Sequence, residues 1–501
     1  MKKMLFRAIA PVILMFVGIV AAQAQQQKYY EVPPLSDEAK ALADQVNSLN
    51  MEDPDAANKA FNKLIKKVGK SQEDLVAVGT YFLDNNNYPA AKQCADRVYE
   101  LAPEYIEGLM FNGMVCMLRK DYGGAGQKFD AVLSINPDHF PALERNAFVY
   151  KNVNPYVAIE TLNHMKELDP TYYNADKNLG DIYYKQDNFK EAVAAYKQYY
   201  AAVPKDTSAI DLRSCENYLQ SLYALASFDE MLEILPVVLP MDPNDMILRR
   251  MDFFAKVNKM GEAFDYDGAV NAATEAGSYV INKEYADTSY LYLDYEYAAA
   301  LAKEKGDFPA AIGYFETALE IDPTKASGYK ELSTLYARNK QAEQGIAAYA
   351  KYLELLGDKA DLSDRFLLGT KYMAAYQEEG IEESKKEEYF NLADGIFAEV
   401  MEEKPDYVQA IVFRARLNNT DSQTPNDTVR DLYQKVLDQS EAEPEKAANQ
   451  RYEACRYLFF YAVSIEPEDV EGAQKAYEIA KEIKPEDSFV KNAEIYLQQI
   501  Q

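Results

Sequence analysis

A chain of 501 residues that is 48% hydrophobic has the apolar content for an extensive core. Its net charge of −28 makes a surface that repels nucleic acid and anionic lipid headgroups at long range. Two histidines and four scattered cysteines, with no Cys-x-x-Cys spacing, argue against a zinc site, a dithiol redox motif or a disulfide framework.

The chain opens on Lys2, Lys3 and Arg7, followed by an apolar stretch from Ala8 to Ala22 and the small-x-small triplet Ala22-Gln23-Ala24. These are the three regions of a secretory signal peptide, with cleavage expected after Ala24. The stretch is shorter than the ~20 residues of a membrane span, and Pro11 interrupts it. No later segment is apolar enough to cross a membrane, and no cysteine stands at the junction for a lipid anchor. The expectation is a periplasmic chain without membrane insertion, its net charge near −31 once those three basic residues are gone.

Beyond this leader the sequence is periodic. Pro103, Pro137, Pro170 and Pro204 stand 34, 33 and 34 residues apart, and the same phrase ending returns at Pro243, Pro323, Pro405 and Pro485. Apolar and small residues within each period, such as Leu179, Gly180 and Tyr183 and then Ala192 and Tyr196, recur three to four apart. That spacing predicts two amphipathic helices per period. The run Lys185-Gln186-Asp187-Asn188 breaks them, and a proline closes the second because the residue before it is driven out of the helical region. A period near 34 is the mark of a helical solenoid, whose pairs bury their apolar faces only by stacking.

The pattern resembles the tetratricopeptide repeat. That family has a Trp-like position early in helix A, then Leu-Gly, a Tyr, a small residue in helix B, an aromatic four later and a closing proline. Tyr295, Gly306, Ala311, Phe315 and Ala318 fill such places in one repeat, and Tyr329, Leu332, Tyr336, Gly345 and Tyr349 in the next. Gly113, Tyr122, Ala125 and Phe129, then Gly79, Phe82, Tyr88 and Ala91, and finally Ala473, Tyr477, Ala480 and Pro485 do the same elsewhere. Tryptophan is absent, and Leu or Tyr takes its place. In style the leader and the Tyr-rich chain resemble Bacteroidetes envelope proteins.

The resemblance implies an all-α, right-handed superhelical solenoid of about twelve helix pairs with a C-terminal capping helix. An irregular pair spans Asp37 to Val68, and five regular pairs run from Leu75 to Pro243. A looser pair follows from Met246 to Ile281, then two regular ones from Leu291 to Gly357. A longer pair with an insertion around Glu378 to Lys386 ends at Pro405. The last two cover Asp406 to Leu437 and Ala447 to Pro485, with Ser488 to Ile500 as the cap. The expected domains are the leader 1–24, an N-terminal extension and capping pair 25–70, a first lobe 71–283, and a second lobe with the capping helix 284–501.

Catalytic chemistry finds no foothold in this pattern, so the chain reads as a non-enzyme without cofactor or metal. His139 follows a turn and His164 lies in a helix B, neither beside a readable acid and nucleophile. Asp265-Tyr266-Asp267-Gly268 resembles the opening of a calcium loop, yet it lacks the third ligand and the closing Glu and falls where an inter-helix turn belongs. Asp84-Asn85-Asn86-Asn87 is likewise a turn. Cys94 and Cys116 fall on adjacent predicted helices, leaving one bridge open beside buried free thiols.

In tetratricopeptide proteins helix A lines the concave face, which binds partners. That frame places Met110, Met114 and Met117 there, then Leu143 and Tyr150, then Lys177, Asp181 and Tyr184, then Glu216, Gln220 and Tyr223. Tyr150, Tyr184 and Tyr223 are expected at one shared position. Such a Met/Tyr surface suits an extended peptide or a partner helix, and packing within the solenoid is the alternative role. The family's clamp for chaperone tails needs matched Lys and Asn, and only Lys177 resembles it. Asp427-Thr428-Val429 resembles the Bacteroidetes O-glycosylation acceptor, with Thr428 as the modified residue at the end of a polar loop. The expected function is a scaffold for protein or peptide partners of the cell envelope, in an assembly or transport complex. The alternative is a glycan- or nutrient-binding component of an outer-membrane uptake system.

Overall fold

The computed structural model describes residue 32 and residues 34–49, 53–204, 209–281, 290–378, 380–421 and 423–500. The expected leader, 1–24, lies outside the described residues, as does most of the expected lobe boundary. Among the described residues run twenty-five α-helices, three short 3-10 turns and no strand. By internal contacts the chain divides into Met1–Ala255 and Lys256–Gln501.

The first unit holds α1 (Asp37–Leu49), α2 (Pro54–Val68), α3 (Gln72–Asp84), α4 (Tyr88–Leu101), α5 (Ile106–Leu118) and α6 (Tyr122–Ile135). It continues with α7 (Phe140–Tyr150), α8 (Pro155–Leu168), α9 (Tyr173–Lys185), α10 (Phe189–Ala202), α11 (Leu212–Ala224) and α12 (Phe228–Val238). The division falls inside α13 (Met246–Lys259). Odd-numbered helices are the A helices and even-numbered the B helices of successive pairs. From α1 to α12 each A packs on its own B and each B on the following A, and α9 also touches α11 directly.

Two local devices repeat. Each regular B helix ends on a residue with extended backbone just before its proline: Ala102 (φ −147°), Asn136 (−135°) and Asp169 (−137°). This is the restriction that the following proline imposes. Each regular A–B turn places one residue in the left-handed region: Asn86 (φ 59°), Lys120 (62°), Asp187 (55°) and Ala226 (53°). The next amide then reaches back to helix A, as Asn188 N does to Tyr183 O at 3.0 Å and Ser227 N to Leu222 O at 2.9 Å. This six-residue closure satisfies carbonyls that the end of helix A would otherwise strand. The turn after α7 is one residue shorter: Asn154 N returns to Tyr150 O at 2.8 Å, and Lys151 keeps φ −52°.

Interior side chains follow the repeat. Phe129 of α6 and Tyr196 of α10 are fully buried, each with its ring against a glycine of its own A helix, Gly113 and Gly180. Tyrosine hydroxyls donate to carboxylates of neighbouring helices: Tyr218 to Glu230 at 2.6 Å, Tyr172 to Glu144 at 2.6 Å and Tyr150 to Asp130 at 2.7 Å. Cys94, Cys116, Cys215 and Cys455 are all free thiols, and burial pushes that of Cys94 up to about 12.

The second unit continues with α14 (Tyr266–Val280), α15 (Tyr292–Glu304), α16 (Phe308–Ile321), α17 (Ala326–Arg338), α18 (Ala342–Leu356) and α19 (Leu362–Tyr376). It ends with α20 (Glu383–Glu403), α21 (Val408–Asn418), α22 (Asp427–Gln439), α23 (Ala448–Ser464), α24 (Val470–Ile483) and α25 (Ser488–Ile500). The described helices therefore form twelve pairs and a final single helix, α25. Its Val490, Ala493 and Leu497 join the core built by α23 and α24. The expected insertion becomes an extended helix B, since α20 runs for 21 residues. Asp265 caps α14, its Oδ1 accepting from Gly268 N at 3.0 Å, as Asp121 caps α6 and Asp469 caps α24. No helix among the described residues is long and apolar enough to cross a membrane.

Candidate partner-binding face

Counted from each helix start, the fifth, ninth and twelfth residues of an A helix lie one above another, a turn or so apart. In α9 they are Lys177, Asp181 and Tyr184, and in α11 they are Glu216, Gln220 and Tyr223. The two stripes meet. Tyr184 Oη donates to Gln220 Oε1 at 3.1 Å. Lys177 Nζ donates to Asp211 Oδ2 at 3.3 Å, while Asp211 Oδ1 caps α11 through Ser214 N at 2.9 Å. Asp181 Oδ1 accepts from Tyr196 Oη at 2.7 Å, Ser214 Oγ at 3.2 Å and Asn217 Nδ2 at 3.4 Å. Tyr223 lies 6.2 Å from the Phe228 ring and 5.6 Å from that of Phe254.

In α5 the same positions are Met110, Met114 and Met117. Met110 is buried in the core with Leu109 and Phe129, whereas Met114 and Met117 are half-buried. Met110 is therefore a packing residue, the alternative its chemistry left open.

The expected assignments in α7 are corrected. Leu143 is the fourth residue of its helix, in register with Leu109 of α5 and Cys215 of α11, and like them it is buried. Tyr150 is the eleventh residue, in register with Tyr183 and Leu222 rather than Tyr184 and Tyr223. The one-residue deletion after α7 shifts the count, and the 33-residue interval from Pro137 to Pro170 is its trace in the sequence. The α7 stripe is instead Glu144, Phe148 and Lys151. Phe148 is exposed, and the Lys151 ammonium sits 4.4 Å above its ring centroid.

The charge on this face is mixed, with Glu144 and Lys151 at α7, Lys177 and Asp181 in α9, and Glu216 in α11. Burial, with Lys185 and Lys177 as neighbours, holds the Lys151 ammonium below its usual range, against Asp181, which favours the charged form. Toward α13 the charges become acidic. Glu216 is only 8% exposed, and burial pushes its carboxyl up to about 7, with repulsion from Asp245, Asp211 and Asp242 opposed by Arg213. Among the described residues no group of three or more His, Cys, Asp or Glu is placed to hold a metal ion.

Thr428 is exposed in the first turn of α22, not in a loop, because the Asn426 side chain already caps the helix by accepting from Val429 N at 3.2 Å. Its neighbour Asp427 is engaged by Tyr461 and Arg430.

Residues 77–140 and 164–207 match the sequence model of the tetratricopeptide repeat, so these two stretches carry repeats of that family, which generally serves protein–protein interaction. No curated protein matches the sequence. Among solved structures, the chain is similar to the C-terminal part of a repeat-containing protein from Cytophaga hutchinsonii, at 16% identity and a TM-score of 0.38 over 63% of this chain and 98% of that one. It is also similar to YrrB, described as a tetratricopeptide protein with an unusual peptide-binding site, at 17% identity and a TM-score of 0.32 over 38% of this chain and 95% of that one. A third likeness is to PilF of Pseudomonas aeruginosa, at 15% identity and a TM-score of 0.33 over 42% and 96%.

Proposed function

We propose that this chain is a non-catalytic scaffold of the periplasm that holds an extended segment of another envelope protein along the helix-A face of α5 to α11. The observation that carries the reading is the shared chemistry of α9 and α11. At three equivalent positions each helix offers a charged group, a polar or charged group and a tyrosine, in contact through the bond from Tyr184 to Gln220. Lys177, Asp181, Tyr184, Gln220 and Tyr223 are half-buried, so they are held in place yet still face solvent. Fixed side chains lose little freedom on binding, and tyrosine supplies both ring area and a hydrogen-bonding tip.

Export rests on the basic start, apolar stretch and Ala22-Gln23-Ala24 junction. Modification of Thr428 by a glycan rests on its exposure and its Asp-Thr-Val context.

A crosslinking pull-down from the native envelope tests the function, comparing the unaltered chain with Tyr184→Ala/Tyr223→Ala. The expected outcome is a defined protein partner captured by the first and lost from the second, with unchanged helical content. A partner retained by the variant moves the site off this face. Capture of glycan in place of protein overturns the scaffold reading. Intact-mass analysis of the mature chain checks cleavage after Ala24 and added hexose mass at Thr428.

A further inference from the structure

Large apolar side chains exposed singly are ordinary on a protein surface, whereas several on one short segment mark a contact surface. The end of α7 and the turn into α8 carry three. Phe148 is 43% exposed, Val153 73% and Tyr156 76%, and among the described residues only Phe264 exceeds the last two. In the two following repeats the twelfth residue of helix A packs on the aromatic that opens helix B: Tyr184 on Phe189 and Tyr223 on Phe228, each with ring centroids 6.2 Å apart. Here Lys151 and Pro155 hold those places, so no aromatic pair closes the turn, and Lys151 lies over Phe148 instead.

The same turn is cationic on a chain whose net charge is −28. Lys185, at the end of α9, donates to Asn152 Oδ1 at 3.1 Å and so stands beside it. The charged groups around the Lys151 ammonium are Lys185, Lys177 and Asp181. Lys177 is paired with Asp211, and Asp181 accepts from Tyr196, Ser214 and Asn217. Among the described residues neither Lys151 nor Lys185 forms an ion pair.

We propose that this turn receives an acidic side chain, together with the apolar residue beside it, from the segment bound along the helix-A face. The carboxylate lies between the ammonium groups of Lys151 and Lys185, and its apolar neighbour lies on Phe148. This rests on the functional reading above and names one feature of the partner. Charge-assisted bonds to a carboxylate supply the counter-ion that neither lysine has within the chain. The Phe148 ring offers apolar area to the neighbour without displacing a packed residue.

The probes are fluorescent dodecapeptide pools in random Ala/Ser/Thr/Tyr context, each with one fixed central pair: Glu-Leu, Gln-Leu, Lys-Leu or Glu-Ser. They are titrated against the full chain. The expected result at low salt is binding of the Glu-Leu pool about tenfold tighter than the Gln-Leu and Glu-Ser pools, with the Lys-Leu pool weakest. The advantage over Gln-Leu shrinks as salt is added. Lys151→Gln/Lys185→Gln removes that advantage and keeps the one over Glu-Ser, and Phe148→Ser does the reverse. Lys185→Gln alone, at an exposed position, weakens the acidic preference and decides the matter should the double variant not fold. Equal binding of the Glu-Leu and Gln-Leu pools, or a preference that these variants leave intact, overturns the inference. Binding of every pool alike, lost in Tyr184→Ala/Tyr223→Ala, overturns it while leaving the functional reading intact. No binding of any pool overturns both.

Discussion

The hydroxyl of Tyr196 donates to Asp181 Oδ1 at 2.7 Å, tying the interior of one repeat to its helix-A face. The same ring closes over Gly180, where a Cβ would stand 2.5 Å from Tyr196 Cδ1. Burial and then the charge of Asp181 hold this phenol far above its ordinary range, so it stays a donor. Tyr196→Phe leaves the ring and removes the donor, with an expected loss of about 1–2 kcal/mol. Gly180→Ala forces the ring aside, with an expected loss of about 1–3 kcal/mol. Urea unfolding followed by helical signal checks both, and a neutral Gly180→Ala refutes the packing described for α9 and α10.

Ala226 occupies the left-handed turn position between α11 and α12 at φ 53°, where glycine carries no steric penalty. Ala226→Gly is expected to stabilise the first unit by about 0.5–1 kcal/mol, relief of backbone strain exceeding the entropy added to the unfolded chain. A lowered denaturation midpoint for this exposed substitution contradicts the assigned turn.

The carboxyl of Glu216 is raised from an ordinary 4.5 to about 7 in the folded chain. The unfolded chain therefore ionises first as pH rises, and the folded state binds more protons between those values. The contribution of this group to stability is fullest below about pH 4.5, falls through the window up to about 7, and is flat above it. Glu216→Gln removes that slope. Relative to the variant, the parent chain is expected to lose roughly 1–3 kcal/mol across the window. Parallel stability curves for the two chains over this range rule out the shift.

Ala311 of α16 is fully buried in the cluster that contains Tyr295 and Phe315. Ala311→Phe is expected to destabilise α15 to α18 by about 1–3 kcal/mol, because the side chains packed around a fully buried alanine must shift to receive the ring. In a stacked array the damage is local, so amide exchange should accelerate in α15 to α18 and not in α3 to α6. Uniform protection across both regions refutes the repeat frame at this position.

The helix pairs were legible because proline, glycine and aromatic spacing are local signals that the fold obeys at every period. The Asp265 turn was legible for the same reason, since Asp followed three residues later by Gly recurs as a cap at Asp121 and Asp469. The face was read less well. Leu143 and Tyr150 were placed 33 residues after Met110 and Met117 and 34 before Lys177 and Tyr184, although the prolines run 34 and then 33. One residue rotates a helix position by about 100°, enough to exchange a packing residue for a facing one. Phe148 and Lys151 could have been found by counting from Pro137. The raised carboxyl of Glu216 could not, because it depends on burial and on which charges adjacent repeats bring near it.

Lys151 stands at the α7 end of the helix-A face and Glu216 at the α11 end. Unlike groups at the two ends of a surface distinguish head from tail. A guest with an acidic stretch at one end and a basic residue farther along can lie on it in one sense only. The reversed guest sets like charges against each other at both ends. On the function proposed above, a partner segment would lie along α7 to α11 in one direction rather than either.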